Sequence, residues 1–315
     1  MHEVATRRLP QKIRVAGALS NTDYCAIHDF QSDVNATDDK EFECVSTTTS
    51  PNIKICLYPD DVDIYVSASI RARGRWEHPI GIAINDVMRL YADATFIDIG
   101  SNLGIHSLVV ARNGHRVVAV EPKWSSIQRF HKSVNLNKLT SNIVLAKNAV
   151  SNKRELVNLY SDDTNQGGSS IQYRQQHTEQ VQAVLMDDLL ELLTTKVAIL
   201  KVDIQGAEYN ALMNSSKLFS RVRIPAIFME FEEMARQLRT EKKTRGVFVL
   251  EMVARLRHLG YKPYSLDNPQ KREYVSDELL DTNMKTWPIN IVWVKPELSV
   301  LLTEDSAIHI RKHRL

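Results

Sequence analysis

Lys201-Val202-Asp203 closes an apolar run, Val197-Ala198-Ile199-Leu200. Residues two apart on a strand share a face, so an ammonium and a carboxylate stand side by side where the strand ends. Screened from water, such a pair orients a substrate hydroxyl or accepts its proton. Two plainer roles stand beside that one: an ion pair that only holds the strand end, or Asp203 as the N-cap of a helix starting near Gly206. Glu208 follows at that helix start, where a carboxylate either complements the helix dipole or touches a ligand. Lys201, Asp203 and Glu208 are the candidate catalytic residues. Glu230 and Glu232 alternate with Met229 and Phe231, so both face one side of another strand end, suited to a polyol, a divalent cation or solvent. Trp76-Glu77 offers a ring to stack on a sugar and a carboxylate for its hydroxyls, or else an anchor for the segment that carries it. Trp76, Glu77, Glu230 and Glu232 are the candidate substrate contacts, and no metal site is assigned. His106 reads as a partly buried helix residue, and Arg71, Arg73 and Arg75 as solvated charges.

A second constellation lies upstream. An apolar strand, Thr95-Phe96-Ile97-Asp98-Ile99, runs into Gly100-Ser101-Asn102-Leu103-Gly104, which opens a helix. The next strand, Arg116-Val117-Val118-Ala119-Val120, ends on Glu121-Pro122. Gly100 and Gly104 allow close backbone approach to a ligand, and helix-start amides favour an anionic group. An acid closing the second strand accepts hydrogen bonds from ribose hydroxyls. Asp98 either caps the turn or reaches an amino group of the ligand. Dinucleotide sites favour G-x-G-x-x-G, but here Asn102 stands where the middle Gly is expected, leaving less room for a pyrophosphate. An amino-acid carboxylate is the better guest. S-adenosylmethionine presents an amino-acid end, a ribose and an adenine in that order across three strand ends, and the Gly turn, Glu121 and Asn148-Ala149 stand at those ends. The expected cofactor is therefore S-adenosylmethionine, with Asp98, Gly100, Ser101, Asn102, Gly104, Glu121, Pro122, Asn148 and Ala149 as its contacts.

The elements that must hold these groups alternate. Ile84, Val87, Met88 and Tyr91 are spaced for one helix face ahead of the first strand, and Ile127, Phe130 and Val134 for another after Glu121. Ile143-Val144-Leu145-Ala146 is a third strand. Leu156–Tyr160, a turn at 165–170 and Val181–Leu185 read as a small hairpin insertion. A helix from Asp187 to Leu193 precedes the Lys201 strand, and one helix follows Gly206 with Leu212, Met213 and Leu218 inward. Val249, Met252, Val253, Leu256 and Leu259 make a periodic helix stopped by Gly260. Two final strands, 261–265 and 291–294, have no helix between them, so the last runs antiparallel. Strands alternating with helices make a doubly wound parallel sheet.

From Thr95 to about Glu232 the chain resembles the FkbM family of S-adenosylmethionine-dependent methyltransferases. The matching pieces are Phe96–Gly104, Val120-Glu121-Pro122, Asn165–Ser170, Leu185–Leu189 and, most specifically, Leu200-Lys201-Val202-Asp203-Ile204-Gln205-Gly206-Ala207-Glu208. The resemblance implies an α/β, class I methyltransferase (Rossmann-like) fold: a seven-stranded, mostly parallel sheet with an antiparallel last strand, helices on both faces and a small N-terminal β/α cap. It also implies methyl transfer to a hydroxyl oxygen, in which the protein's work is alignment and deprotonation. Gln205 replaces the commoner acid before Gly206, and His106 a usual aromatic. Asp267-Asn268-Pro269-Gln270 lacks the second Pro and the aromatic of the amino-methylating motif and is set aside.

With 315 residues, 43% apolar and 25% charged, the chain is an ordinary globular protein, and forty basic against thirty-eight acidic residues give no bulk attraction for nucleic acid. The expected partition is a flexible tail over 1–40, an accessory cap over 41–93, the cofactor-binding domain over 94–296 and a tail over 297–315. No run is long and apolar enough for a membrane span, and no signal peptide opens the chain. Cytoplasm is the default compartment. A secretory lumen is the alternative, favoured by the sequons at Asn35 and Asn214 and by a hairpin centred near Ser50 that would set Cys44 opposite Cys56, within disulfide reach. Paired thiols in a reducing compartment fit equally well. The acceptor is a small molecule or glycan. The rivals are a nicotinamide-dependent oxidoreductase and a non-catalytic binding module on the same fold.

Overall fold

A computed structural model gives the fold over residues 12–14, 26–28, 41–162, 165–171, 179–231, 244–268, 273–276 and 287–298. Most of the expected N-terminal tail, the Asn35 sequon, Glu232 and Pro269-Gln270 lie outside these described residues. Short strands β1 (Lys12–Arg14) and β2 (Ala26–His28) pair antiparallel. Strands β3 (Cys44–Ser46) and β4 (Lys54–Cys56) form the expected hairpin, with Cys44 opposite Cys56 and the two joined by a disulfide. The hairpin docks on a later helix through side chains that take its edge amides: Lys54 N–H donates to Asn137 and Cys56 N–H to Ser133.

Helix α1 (Val66–Arg73) has no strong apolar period, but its ends are well marked. The buried Asp63 carboxylate accepts from the amides of Val66 and Ser67, and Gly74 closes the helix in a left-handed conformation with its N–H on the Ile70 carbonyl. Helix α2 (His78–Leu90) follows, burying Ile80, Ala83, Ile84, Val87 and Met88.

The main sheet uses β5 (Thr95–Ile99), β6 (Arg116–Val120), β7 (Ile143–Ala146), β12 (Ala198–Val202) and β13 (Ala226–Glu230) in the order β13-β12-β5-β6-β7, all parallel. Between them lie α3 (Ile105–Arg112), α4 (Trp124–Leu136), the 3-10 helix Met186–Leu192, α5 (Glu208–Met213) and α6 (Ser216–Arg221). The insertion is a separate sheet of β8 (Ala149–Val150), β9 (Leu156–Asp162), β10 (Asn165–Ile171) and β11 (Glu179–Val184). One helix was expected after Gly206. Instead α6 starts anew, because the Asp187 carboxylate accepts from the amides of Lys217 and Leu218.

Helix α7 (Thr244–His258) leads to β14 (Lys262–Ser265), β15 (Glu273–Tyr274) and β16 (Asn290–Val294). As expected, β16 runs antiparallel, between β13 and β14. The sheet nonetheless has eight strands, not seven, since β15 adds an edge to β14. Two residues carry no detectable period; Tyr274 is fixed there by packing its ring against Tyr264 at 5.7 Å.

Alternate side chains of the buried strands feed two cores. Ile97, Ile99, Leu200, Val202, Ile227 and Met229 pack under the 3-10 helix, α5, α6 and α7. Phe96, Ile199 and Phe228 pack on the other face with residues of α1 to α4 and of the Cys hairpin, so the segment before β5 shares a core with the sheet. By the same alternation Asp98, Lys201 and Glu230 point to the α2–α4 face. Lys201 is the register partner of Asp98, so this face carries a polar row at its rim.

Candidate functional site

Strand order reverses at β5, which is flanked by β6 and β12, and ligands of such sheets bind outside the strand ends at that switch point. The β5 turn and the β12 end meet there. Asp203 N–H donates to the Ile99 carbonyl at 3.0 Å, and a Cβ added at Gly100, whose φ is +79°, would lie 2.8 Å from the Asp203 carbonyl carbon and closer still to its oxygen. At Gly104, φ +81°, a Cβ would run into the Phe130 ring. Both glycines are thus required by protein packing. The amides of Gly100 and Ser101 bond the Val120 carbonyl, that of Asn102 bonds Glu121, and that of Gly104 bonds Ser101. These four amides are engaged within the chain, upstream of the amides at the start of α3.

What the turn does offer is acceptors. Asp98 is buried; one carboxylate oxygen accepts from the Ser107 hydroxyl at 2.6 Å, and the other, Oδ1, is buried without a partner. Asn102, held at φ +52°, likewise has a buried Oδ1 with no partner. Two orphaned acceptors beside the switch point fit the ammonium of an amino acid, the end of S-adenosylmethionine expected at this turn. Glu121 is buried, with Oε1 accepting from the Lys123 amide at 2.9 Å and Oε2 from the Asn102 amide at 2.8 Å. Burial pushes its carboxyl up to about 7, against the pull of those two amides. Each oxygen keeps a lone pair for a ribose hydroxyl. Pro122 follows at the strand end. Asn148, fully buried, donates to the Gln182 carbonyl of β11 and stands beside Ala149 at the third strand end.

Across the turn lies a second recess, shallow and open to solvent, lined by Glu77, Ile80, Lys201, Asp203, Glu230 and Asn290 among others. Lys201 Nζ donates to Asp203 Oδ2 at 2.9 Å; Lys201 is 5% exposed. Burial works against its charge, but Asp203, then Glu77 and Asp98, outweigh it and hold the ammonium above its usual range. Asp203 is held below the usual carboxylate range, with burial opposed by Lys201. Glu230 is driven the other way by burial and by the Asp203 charge beside it. Gln205 bridges the two acids, its Nε2 donating to Asp203 Oδ1 at 3.1 Å and Glu230 Oε2 at 3.2 Å. A third carboxylate at position 205 would add repulsion; the amide supplies the donor both need. Glu77, at φ +42°, is held from outside by His106 Nε2 at 3.1 Å.

The recess therefore gathers Lys201, Asp203, Glu77 and Glu230 as the sequence suggested, but not every candidate. Glu208 does not line it: Oε1 accepts from the Ile204 and Gly206 amides at 2.9 and 3.2 Å, bracing the turn after β12. Burial raises its carboxyl to about 7. Trp76 packs against the core of the α2–α4 face, the anchoring role. Sequence reasoning missed Ser107, the partners made by His106 and Gln205, and Asn290, which opens an ordinary apolar strand and carries no local signal. Among the described residues, no group of three His, Cys, Asp or Glu is arranged to hold a metal, and no helix is long and apolar enough to cross a membrane.

No curated protein matches the chain in sequence. Among solved structures it is similar to the O-methyltransferase from Bacillus cereus in complex with SAH, at 10% identity and TM-score 0.39, covering 70% of this chain and 83% of that one. It is likewise similar to the O-methyltransferase TomG from Streptomyces achromogenes, at 10% identity and TM-score 0.40, covering 70% and 81%. The Methyltransferase FkbM domain matches residues 98–263, just over half of the length, and takes in the cofactor turn, Glu121, Lys201, Asp203 and Glu230. The chain belongs to the FkbM family of S-adenosylmethionine-dependent methyltransferases.

Proposed function

We propose that the protein transfers the methyl group to a hydroxyl oxygen of a small molecule or glycan, with Asp203 as the proton acceptor. The observation that carries this reading is the double placement of Asp203. Its main chain abuts Gly100 of the donor turn, while its carboxylate opens into the recess beside Lys201. A hydroxyl bonded to that carboxylate lies next to the donor, which is the alignment the reaction needs. The bound cofactor supplies an electrophilic methyl group on sulfur. Lys201 keeps Asp203 ionised, and the carboxylate would take the hydroxyl proton as the oxygen–methyl bond forms and the methyl–sulfur bond breaks, with S-adenosylhomocysteine as the leaving group. Glu230, driven toward its neutral form by burial and by the Asp203 charge, shares the Gln205 amide with Asp203 and so adds no second negative charge beside the base. Glu77 and Glu230 are the acceptor contacts in this reading, and Glu208 positions the turn that carries Asp203.

On the donor side, Asp98 and Asn102 take the amino group, Glu121 the ribose, and Asn148 with Ala149 the adenine edge. Gly100, Ser101, Gly104 and Pro122 set the backbone around them. The Cys44–Cys56 disulfide supports an oxidising compartment such as a secretory lumen.

The test is labelled methyl transfer into a cell extract by wild type and by Asp203→Asn. The variant is expected to lose about 100-fold or more in kcat, with S-adenosylmethionine affinity in calorimetry changed by less than about threefold. Label recovered on nitrogen or carbon, or an Asp203→Asn enzyme of normal kcat, refutes the reading.

A further inference from the structure

The acceptor recess has walls of two origins. Lys201, Asp203 and Glu230 lie within the family match, while Glu77, Ile80, Leu266 and Asn290 lie outside it, on α2 and on the β14–β16 side. Asn290 is the cross-strand partner of Glu230. Its backbone is pinned, since the amides of Ile289 and Asn290 both bond the Asp267 carboxylate, at 2.8 and 2.9 Å. Its Oδ1 is buried and has no hydrogen-bond partner. A buried acceptor left unpaired in a recess is costly unless a ligand donates to it. Directly opposed antiparallel residues stand about 5 Å apart, so Asn290 and Glu230 present neighbouring oxygens to one molecule.

Of the charged groups in the recess, Lys201 is the cation, and it is engaged by Asp203. Glu77, Asp203 and Glu230 are carboxyl groups, each braced by a donor from behind: His106, Lys201 and Gln205. Such a wall accepts hydrogen bonds and repels anions. We propose that this recess selects an uncharged, hydroxyl-rich acceptor, a sugar or other polyol rather than a phosphorylated or carboxylated one, and that Asn290 is a specificity residue that accepts a hydrogen bond from a hydroxyl which is not itself methylated. The proposal rests on the hydroxyl-methylation reading above and deepens it.

The probes are methyl glucoside, glucose 6-phosphate and glucuronate, measured by ligand-observed NMR on the full chain saturated with S-adenosylhomocysteine. Methyl glucoside is expected to bind, with the two anions at least about 100-fold weaker. Asn290→Ala should weaken methyl glucoside about 5- to 10-fold while S-adenosylhomocysteine affinity is unchanged. Glu77→Gln, which can still pair with His106, should narrow the gap between glucuronate and methyl glucoside by about tenfold, a change that a merely structural role would not give. Anions binding as well as the neutral probe, an Asn290→Ala variant indistinguishable from wild type, or no binding of methyl glucoside by cofactor-loaded protein would each overturn the proposal. The underlying reading fails separately: polyol binding with label appearing only on nitrogen or carbon sinks hydroxyl methylation and leaves the selectivity standing, and anion preference with O-methyl product does the reverse.

Discussion

Gly100→Ala tests whether donor and acceptor halves of the site are joined through one backbone contact. Three costs add. A non-glycine residue at φ +79° costs about 1 kcal/mol or somewhat more. The new Cβ falls inside the envelope of the Asp203 carbonyl, 2.8 Å from its carbon, where nothing flexible can yield, and overpacking of this kind costs about 1–3 kcal/mol. Displacing that carbonyl also loosens the Asp203 N–H to Ile99 bond, worth about 1 kcal/mol. The sum is about 3–5 kcal/mol. Gly114→Ala is the control: its φ is +95°, but nothing lies within 4 Å of the new Cβ, so only the backbone cost of about 1 kcal/mol applies. Denaturant unfolding of both variants should therefore differ by about 2–4 kcal/mol. Because β12 must shift at its end, the Asp203 carboxylate moves with it, and a displacement near 1 Å costs about 100-fold in kcat. Gly100→Ala matching Gly114→Ala within about 0.5 kcal/mol, with normal kcat, would falsify the claim that this contact couples the two halves.

Glu121 gives a pH prediction. Its folded value near 7 against 4.5 when unfolded means that the folded state binds the proton more tightly. Stability from this group is complete below about pH 4.5 and is lost as pH rises through 7, a change of about 3 kcal/mol. The difference in unfolding free energy between wild type and Glu121→Gln should follow that course, and a flat difference from pH 5 to 8 contradicts it. Reducing the Cys44–Cys56 bond, which closes a short loop of sequence separation 12, should lower stability by about 2–3 kcal/mol. Reductant should leave the Cys44→Ala/Cys56→Ala double variant unmoved; equal responses in both proteins would mean that the bond contributes nothing.

The strands at the centre of the sheet were legible because burial on both faces leaves continuous apolar runs, as in Thr95–Ile99 and Ala198–Val202. The Cys hairpin was legible from symmetry about Ser50. Helix α1 was not, since its ends are set by Asp63 and Gly74 while its middle, Ser-Ala-Ser, has no period. The donor turn was found for partly different reasons than those that hold it. Its glycines answer to Asp203 and Phe130, contacts 26 to 103 residues away in sequence that local spacing cannot reveal. The Lys201–Asp203 pair was visible as Lys-x-Asp, but its setting was not: Asn290 and Glu77 reach the recess only through the antiparallel pairing of β16 and the packing of α2.

That setting bears on which parts of the recess could change without disturbing the proposed chemistry. The donor turn, Glu121 and the Lys201–Asp203 pair all sit on parallel strands buried in the sheet, where a change of one methylene is felt throughout the core. Glu77 lies at the start of a helix laid over the sheet, and Asn290 at the open end of a strand near the sheet edge. Substitutions there alter the walls without moving the strands that hold the base and the donor. Methyl transfer asks the protein for alignment and removal of one proton, and both are supplied by the rigid part. In the proposed reading, recognition can then change at Glu77 and Asn290, outside 98–263, at little cost to the chemistry, whereas a change at Glu230, inside it, also disturbs the Gln205 bridge to Asp203.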